Sequence, residues 1–285
     1  MEPIEPTEPT ELTQWFIEVY DGSALMIKIR EALFEKKGLQ QIHVFETESF
    51  GKMLVLDGKV QLTERDEAMY HEMLVHVPLF SIEDPRKILI IGGGDGGSVR
   101  EALKHDPEEV VMVEIDRDVY EACRRYVGID RGALEDERVT VLFEDGVEFV
   151  RSAKEKFDAV IVDGTDPTPV SRNLTSYEFY ENCSRISGVF AAQNQSPFAQ
   201  REYFTQTLKT AGRVFRSWRV YINYVPTYPL GLWSYFLASN SELNLDYDVL
   251  RRRWEEKRIE TEHYNPEVHI ASFSLPEWLK KMVGE

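Results

Sequence analysis

The residues of this chain that invite chemistry are carboxylates standing behind apolar runs. Gly92-Gly93-Gly94-Asp95-Gly96-Gly97 follows the run KILII and precedes a helix-like segment, an arrangement in which a tight turn presents backbone NH groups to a nucleotide. Nicotinamide-dependent dehydrogenases and adenosylmethionine-dependent transferases both place such a loop here, so the glycines, Gly92 and Gly94 among them, do not decide between the two. Asp95 is more informative. An anionic side chain inside the loop repels a pyrophosphate and attracts an ammonium or a sulfonium, which ranks the dinucleotide reading last. Nineteen residues on, a second apolar run ends at Glu114, a carboxylate acceptor for ribose hydroxyls. A third ends at Asp145-Gly146, placed to accept from an adenine amino group, and a fourth at Asp163-Gly164-Thr165-Asp166-Pro167. Any single Asp-Gly pair is more commonly a loop cap or a solvated turn. Repetition at four successive run ends argues for one shared negative pocket, and such a pocket suits cationic ligands.

For these carboxylates to meet, the runs must be neighbouring parallel strands. From Arg86 onward buried strand, loop and helix alternate through KILIIGGG, SVREALKHD, VVMVEID, RDVYEACRRYV, VTVLFEDG, VEFVRSAK, FDAVIVDG, SYEFYENC and GVFAAQN. That rhythm predicts an α/β fold, a Rossmann-like, class I methyltransferase-type doubly wound sheet whose ligands lie beyond the carboxyl ends of the strands. VYINYV and LWSYFLAS read as further strands, and DYDVLRRRWEEKRIETE as an exposed, charge-laced helix without chemistry. Residues 1–11 alternate Glu, Pro and Thr and are expected to be a mobile segment outside the fold. Residues 12–65 read as a small N-terminal antiparallel β domain of four to six strands, with hairpin turns at 49–52 and at Asp57-Gly58. DEAMYHEMLVHVPLF has apolar residues at three-to-four spacing, which predicts a linking helix opening a catalytic domain over 66–285 that ends in a helical tail.

Composition narrows the class. With 285 residues, 42% of them hydrophobic, the chain has material for a core, which excludes disorder and fibrous repeats. A formal charge of −17 argues against a bare electrostatic hold on nucleic acid or an anionic membrane. Cys123 and Cys183 offer no disulfide framework and read as reduced, packed thiols. The first residues lack a basic and an apolar region, and no run approaches the roughly 20 apolar residues of a membrane span. The expectation is a soluble, unexported, cytoplasmic protein.

At this point QQIHVFET, VLDGKVQLTERDE, YHEM, ILIIGGGDGG with VREALKH, VEID, EDGVEFV, VDGTDP, PTYPLG and YNPEVHIASFSLP, spread from Trp15 to Pro276, come together. The chain resembles the polyamine aminopropyltransferases, the spermidine synthase family. The resemblance implies transfer of the aminopropyl group of decarboxylated S-adenosylmethionine to a diamine, usually putrescine, giving spermidine, methylthioadenosine and a proton. The donor is then a co-substrate, and neither cofactor nor metal is expected. Because that donor carries an ammonium and a sulfonium but no carboxylate, Asp95 attracts it and repels ordinary S-adenosylmethionine. Glu114 takes the ribose, Asp145 with Gly146 the adenine, and Gln40 and His71 complete the donor site, while Gln61 is expected to bind substrate where the acceptor meets the donor. Alkyl transfer needs a neutral amine, so the site must accept a proton, and Asp163 is the candidate base. Tyr70 and Tyr228 are expected to hydrogen-bond the attacking nitrogen, while Asp166, with Gln193, anchors the acceptor. Taken singly, Tyr70 is more commonly an interfacial aromatic, Tyr228 a turn residue, and Gln40 and Gln61 surface strand residues.

Two departures from the family pattern are visible. Gly164 stands where a hydroxyl residue is usual, which removes a local hydrogen bond and loosens the loop. Ser171-Arg172-Asn173 replaces a more usual glycine- or acid-containing stretch and bears on acceptor size. The N-terminal sheet is expected to supply the interface of a homodimer or homotetramer. Agmatine, cadaverine or a longer amine are alternative acceptors. A class I methyltransferase, or a polyamine-binding protein without catalysis, are alternatives to the enzyme itself.

Overall fold

Runs of branched and aromatic residues separated by turn signals fold residues 14–63 into an antiparallel meander. Its strands are β1 (Gln14–Tyr20), β2 (Ser23–Lys37), β3 (Gln41–Thr47), β4 (Lys52–Leu56) and β5 (Lys59–Thr63), paired in sequential order. The structure, a computed structural model, describes residues 14–20, 22–166, 168, 171–243 and 245–284, so the expected mobile segment lies outside the described residues. Both hairpin turns stand where the sequence marks them. Asp57 and Gly58 both take positive φ, as a two-residue turn matching strand twist requires, and Thr47 Oγ1 closes the other turn by donating to the Gly51 carbonyl. β2 is longer than the ALMIKIR run and carries two register shifts, which bend it.

The second sheet has seven strands in the order β11-β12-β10-β9-β6-β7-β8. These are β6 (Lys87–Gly92), β7 (Glu109–Glu114), β8 (Val139–Phe143), β9 (Phe157–Asp163), β10 (Ser187–Gln193), β11 (Ser217–Tyr224) and β12 (Leu232–Ser239). β6 to β10 are parallel, and β12 runs antiparallel to β10 and β11, which gives the Rossmann-like, methyltransferase-type arrangement. Alternate strand residues serve alternate faces. Ile88, Ile90, Met112 and Ile161 pack on one side, while Leu89, Ile91, Val113 and Val162 pack on the other. Successive strands leave β6 in opposite directions, so the crevice for a ligand opens where β6 meets β9 and Gly92 stands in register with Asp163.

α1 (Glu67–Ser81) is the linking helix the spacing predicts, but it is buried on every side rather than on one apolar stripe. Covering it are α2 (Gly97–Leu103), strands β9, β10 and β11, and α7 (Tyr247–Lys257). Its polar residues Glu67, His71, Glu72 and His76 are therefore interior, where each needs a partner. α7 is less exposed than its charge pattern suggests. Leu250 is fully buried, and Arg253 and Lys257 donate to the carbonyls of Phe80 and His105. The other helices are α3 (Arg117–Ala122), continued by a π turn over Cys123–Val127, then α4 (Gly146–Ser152), α5 (Tyr177–Ile186), α6 (Arg201–Ala211), α8 (Pro266–Ser272) and α9 (Glu277–Val283). The N-terminal sheet docks through Ile42, Val44, Leu54 and Leu56 onto Val119, Ala122 and Cys123, which brings its strands over the crevice.

Candidate active site

Two adjoining clefts open at the carboxyl ends of the central strands. One, of about 650 Å³, is lined by Tyr70, Asp95, Asp163, Asp166, Gln193 and Tyr228, with Gln61 and Glu18 from the N-terminal sheet. The other, of about 540 Å³, is lined by Gln40, Gly92, Glu114, Asp145 and Gly146. Gly164 and Thr165 belong to both, so they form the shared wall.

The glycine loop is shaped by close approach. Gly92 has positive φ, and a Cβ there would stand 2.2 Å from the Asp163 carbonyl oxygen; a Cβ on Gly94 would meet the Glu114 carboxylate at 2.9 Å. Loop, β7 and β9 can converge only with glycine at these points. Asp95 turns its Oδ1 to the Gly97 NH at 2.7 Å and stands 3.2 Å from His71 Nε2.

His71 is the main relocation relative to the sequence reading. It does not line either cleft; it lies almost wholly buried behind Asp95, with Nδ1 2.8 Å from Glu67. Glu67 in turn receives a two-pronged bond from Arg100, at 2.9 and 2.8 Å. Burial disfavours the imidazolium, but Asp95 and Glu67 outweigh it and hold the imidazole well above its usual range, so His71 is a buried cation. Burial likewise opposes ionisation of Asp95, yet His71 and the Gly97 NH bring its carboxyl below the ordinary value. His71, Asp95 and Asp163 offer ligand atoms within 4.8 Å of one another. Nδ1 of His71 faces Glu67 at 2.8 Å and Nε2 faces Asp95 at 3.2 Å, so these groups form an ion-pair network.

Asp163 is held by two hydroxyls: Tyr70 donates to Oδ1 at 2.8 Å and Ser98 to Oδ2 at 2.6 Å. Burial, reinforced by Asp95, raises its carboxyl above the ordinary value despite the opposing pull of His71 and the two hydroxyls. That direction suits a proton acceptor. Tyr228 does not reach Asp163. Its hydroxyl donates to the Gln61 carbonyl at 2.5 Å, and Asp66 pins the neighbouring Thr227 NH and hydroxyl at 2.9 and 2.7 Å. Of the two tyrosines read as catalytic, only Tyr70 has its hydroxyl on the carboxylate.

Glu114 closes β7 with Oε1 accepting from the Asp116 NH at 2.8 Å. Burial, with Asp116 and Asp95 nearby, pushes its carboxyl up to about 7. Asp145 caps α4 through the Val147 NH and still lines the second cleft. Gln40 is buried there with its Nε2 unpartnered, an orphan donor of the kind a ligand satisfies. Asp166 accepts from Gln200 at 2.6 Å, and burial raises its carboxyl while Gln200 and Lys59 pull it down. Gln193 commits its amide to the Gly164 and Thr165 carbonyls and its oxygen to the Gln195 NH. It shapes the β9 loop instead of presenting a free group to the acceptor. Gly164 leaves room for Leu174, whose Cδ1 would stand 3.0 Å from an added Cβ, so the loop is packed at this point. Arg172 is exposed and lines neither cleft, while its neighbours Ser171 and Asn173 line the second cleft and not the acceptor cleft.

Sequence reasoning missed Ser98 and Gln200, which donate to Asp163 and Asp166, and Glu67 and Arg100, of which Glu67 holds His71 and Arg100 holds Glu67. Gln200 immediately precedes α6, whose Phe204, Leu208 and Ala211 at helical spacing were the available signal.

Comparison with known proteins matches residues 67–247 to the spermine/spermidine synthase domain and residues 14–64 to the spermidine synthase tetramerisation domain. The chain is 51% identical over 269 residues to a polyamine aminopropyltransferase of Archaeoglobus fulgidus, covering 94% of this chain and 98% of the relative. A polyamine aminopropyltransferase of Caldicellulosiruptor bescii is 42% identical over 275 residues, with the same coverage. Among solved structures, a spermidine synthase in complex with the transition-state analogue AdoDATO superposes with a TM-score of 0.92 at 38% identity, covering 99% of this chain and 98% of that one. The spermidine synthase of Thermotoga maritima gives 0.89 at 37%, with the same coverage. Fold, motifs and both domain matches agree: the chain belongs to the spermine/spermidine synthase family.

Proposed function

We propose that the chain transfers the aminopropyl group of decarboxylated S-adenosylmethionine to putrescine, releasing spermidine and methylthioadenosine. That it is an aminopropyltransferase follows from the family; the donor, the acceptor and the residue roles are the proposal. The observation that carries it is the Asp95 carboxylate, kept ionised by a buried His71 in the glycine loop beside the Tyr70–Asp163 pair. A carboxylate held charged at this point rewards an ammonium and rejects the α-carboxylate of ordinary S-adenosylmethionine. The same argument disfavours a methyltransferase.

In this reading the adenosine occupies the second cleft, with Glu114 on the ribose, Asp145 and Gly146 at the base, and Gln40 supplying its free amide. The acceptor occupies the first cleft, its far nitrogen on Asp166 and its attacking nitrogen against Asp163 and Tyr70. The amine lone pair forms the new C–N bond at the methylene next to sulfur, the C–S bond breaks with its electrons going to sulfur, and the nitrogen gives a proton to Asp163. The sulfonium leaves as a neutral thioether, so the leaving group needs no acid or metal, and no cofactor enters the scheme.

The N-terminal sheet exposes Trp15, Ile17 and Val19 of β1 with Met26 of β2 on one face, a contiguous apolar surface suited to a homo-oligomer interface. The match of residues 14–64 to a tetramerisation domain favours a homotetramer over a homodimer. No helix among the described residues is long and apolar enough to cross a membrane. The unpaired, buried Cys123 and Cys183 fit a reducing cytoplasm. Release of methylthioadenosine from the decarboxylated donor with defined amines tests the function.

A further inference from the structure

The acceptor cleft carries four carboxylates, Glu18, Asp95, Asp163 and Asp166, and among its described lining residues one cation, Lys59. A lysine in the wall of a site for cationic amines demands an explanation. Lys59 opens β5 directly after the Asp57-Gly58 turn. Its Nζ lies 3.3 Å from Glu18 Oε1 and 5.5 Å from the centre of the Tyr20 ring, so an ion pair and a cation–π contact fix its direction. Glu18 is only 3% exposed and spends its other oxygen on the Val60 NH at 2.9 Å. Lys59 also lies close enough to Asp166 to draw that carboxyl downward. Glu18 pairs with Lys59, whereas Asp95 pairs with His71 and Asp163 takes the Tyr70 and Ser98 hydroxyls, so the lysine's ion pair lies outside the group where the chemistry takes place.

Counting charges gives the consequence, on the reading proposed above. The donor ammonium takes Asp95, the attacking nitrogen takes Asp163, and the far nitrogen of a diamine takes Asp166. Glu18 is the fourth carboxylate, and a lysine of this same chain already neutralises it. The pair joins a buried carboxylate to a half-exposed ammonium in the cleft wall, so Lys59 cancels a charge that Glu18 would otherwise present to the cleft. We propose that Lys59 determines acceptor specificity: by occupying Glu18 it closes the far end of the cleft to amines with a third cationic centre and leaves diamines as substrates. A triamine brings a third ammonium against the lysine, and such like-charge juxtaposition in a partly enclosed site is strongly disfavoured.

The test compares kcat/KM for putrescine and for spermidine, followed by methylthioadenosine release, in the wild type, Lys59→Met, Lys59→Gln and Lys59→Arg, and in Lys59→Met combined with Glu18→Gln. Removing the cation in Lys59→Met or Lys59→Gln raises the spermidine-to-putrescine ratio by roughly tenfold or more. Lys59→Arg retains the wild-type ratio, and adding Glu18→Gln to Lys59→Met removes the gain, because the third ammonium loses its carboxylate. A ratio that stays within about twofold of wild type in both neutral variants, with putrescine turnover measurable, overturns the role of Lys59 and leaves the activity standing. A wild type that releases no methylthioadenosine with either amine instead overturns the aminopropyl-transfer reading on which the inference rests.

Discussion

The Tyr70 hydroxyl donates to Asp163 Oδ1 at 2.8 Å from a helix buried on all sides, while Ser98 holds the other oxygen at 2.6 Å. The carboxylate thereby has one fixed orientation, and burial raises its proton affinity. Asp163→Asn keeps the shape but cannot take the proton from the acceptor. The expected result is a kcat lower by roughly 10²- to 10³-fold, with donor affinity measured by calorimetry changed by less than about threefold. Tyr70→Phe loses one hydrogen bond and is expected to lower kcat by about tenfold. Wild-type turnover in Asp163→Asn would remove it from the role of base.

Asp95 faces His71 at 3.2 Å beneath the glycine loop. Asp95→Asn is expected to weaken the decarboxylated donor by roughly 10²-fold and to narrow its advantage over ordinary S-adenosylmethionine, because a neutral amide no longer separates ammonium from carboxylate. Competition of the two donors for binding reads this directly. If the preference for the decarboxylated donor survives in the variant, selection lies elsewhere.

Glu114 supplies a pH dependence. Its carboxyl stands near about 7 in the folded protein, raised by burial and by Asp116 and Asp95, against 4.5 ordinarily. A group raised in this direction favours the fold in its protonated form, and that contribution is lost as pH rises from 4.5 through about 7. The ribose contact, in contrast, requires the ionised form. Affinity for methylthioadenosine, a neutral ligand, is therefore expected to fall by up to tenfold per pH unit below about 7 and to level off above it. Glu114→Gln should bind weakly with a flat profile across the same range.

Glu67 makes a stability prediction of the opposite sign. Burial opposes its ionisation, but His71 and Arg100 bring its carboxyl down to about 2, below the ordinary 4.5. Its contribution is thus complete above pH 4.5 and lost as pH falls through about 2. Glu67→Gln leaves two buried cations short of a partner and is expected to destabilise the fold by roughly 3 kcal/mol at pH 7, with the deficit shrinking as the medium approaches pH 2. Denaturant titrations at several pH values measure both the deficit and its trend.

How much of this was legible in the sequence divides along one physical line. Strand ends were legible because parallel strands buried on both faces read as continuous apolar runs, and their carboxyl ends must share an edge; hence Asp95, Glu114, Asp145 and Asp163 were placed together before any geometry. The N-terminal meander was legible from its turns, above all Asp57-Gly58. The direction of a side chain was not legible. Tyr228 and Gln193 lie on the expected wall but turn their polar groups to the backbone of Gln61 and of the Gly164-Thr165 loop. His71 lies one layer behind the cleft because α1 is enclosed on every side, which the spacing of its apolar residues does not reveal. Glu67 and Arg100 pair 33 residues apart, across two helices, and only the packing of α1 on α2 brings them together. The pairing of Lys59 with Glu18 joins β5 to β1 across 41 residues, a contact that no local pattern marks.

The central claim is aminopropyl transfer. The measurement that tests it most directly is release of methylthioadenosine from decarboxylated S-adenosylmethionine with putrescine, agmatine, cadaverine and spermidine supplied separately, and with S-adenosylmethionine as control donor. The account predicts release with putrescine, accompanied by an equal amount of spermidine, and none from the control donor. Donor binding without release for any of these amines would contradict it and favour a polyamine-binding protein, whereas methyl transfer from S-adenosylmethionine would contradict it in favour of a methyltransferase.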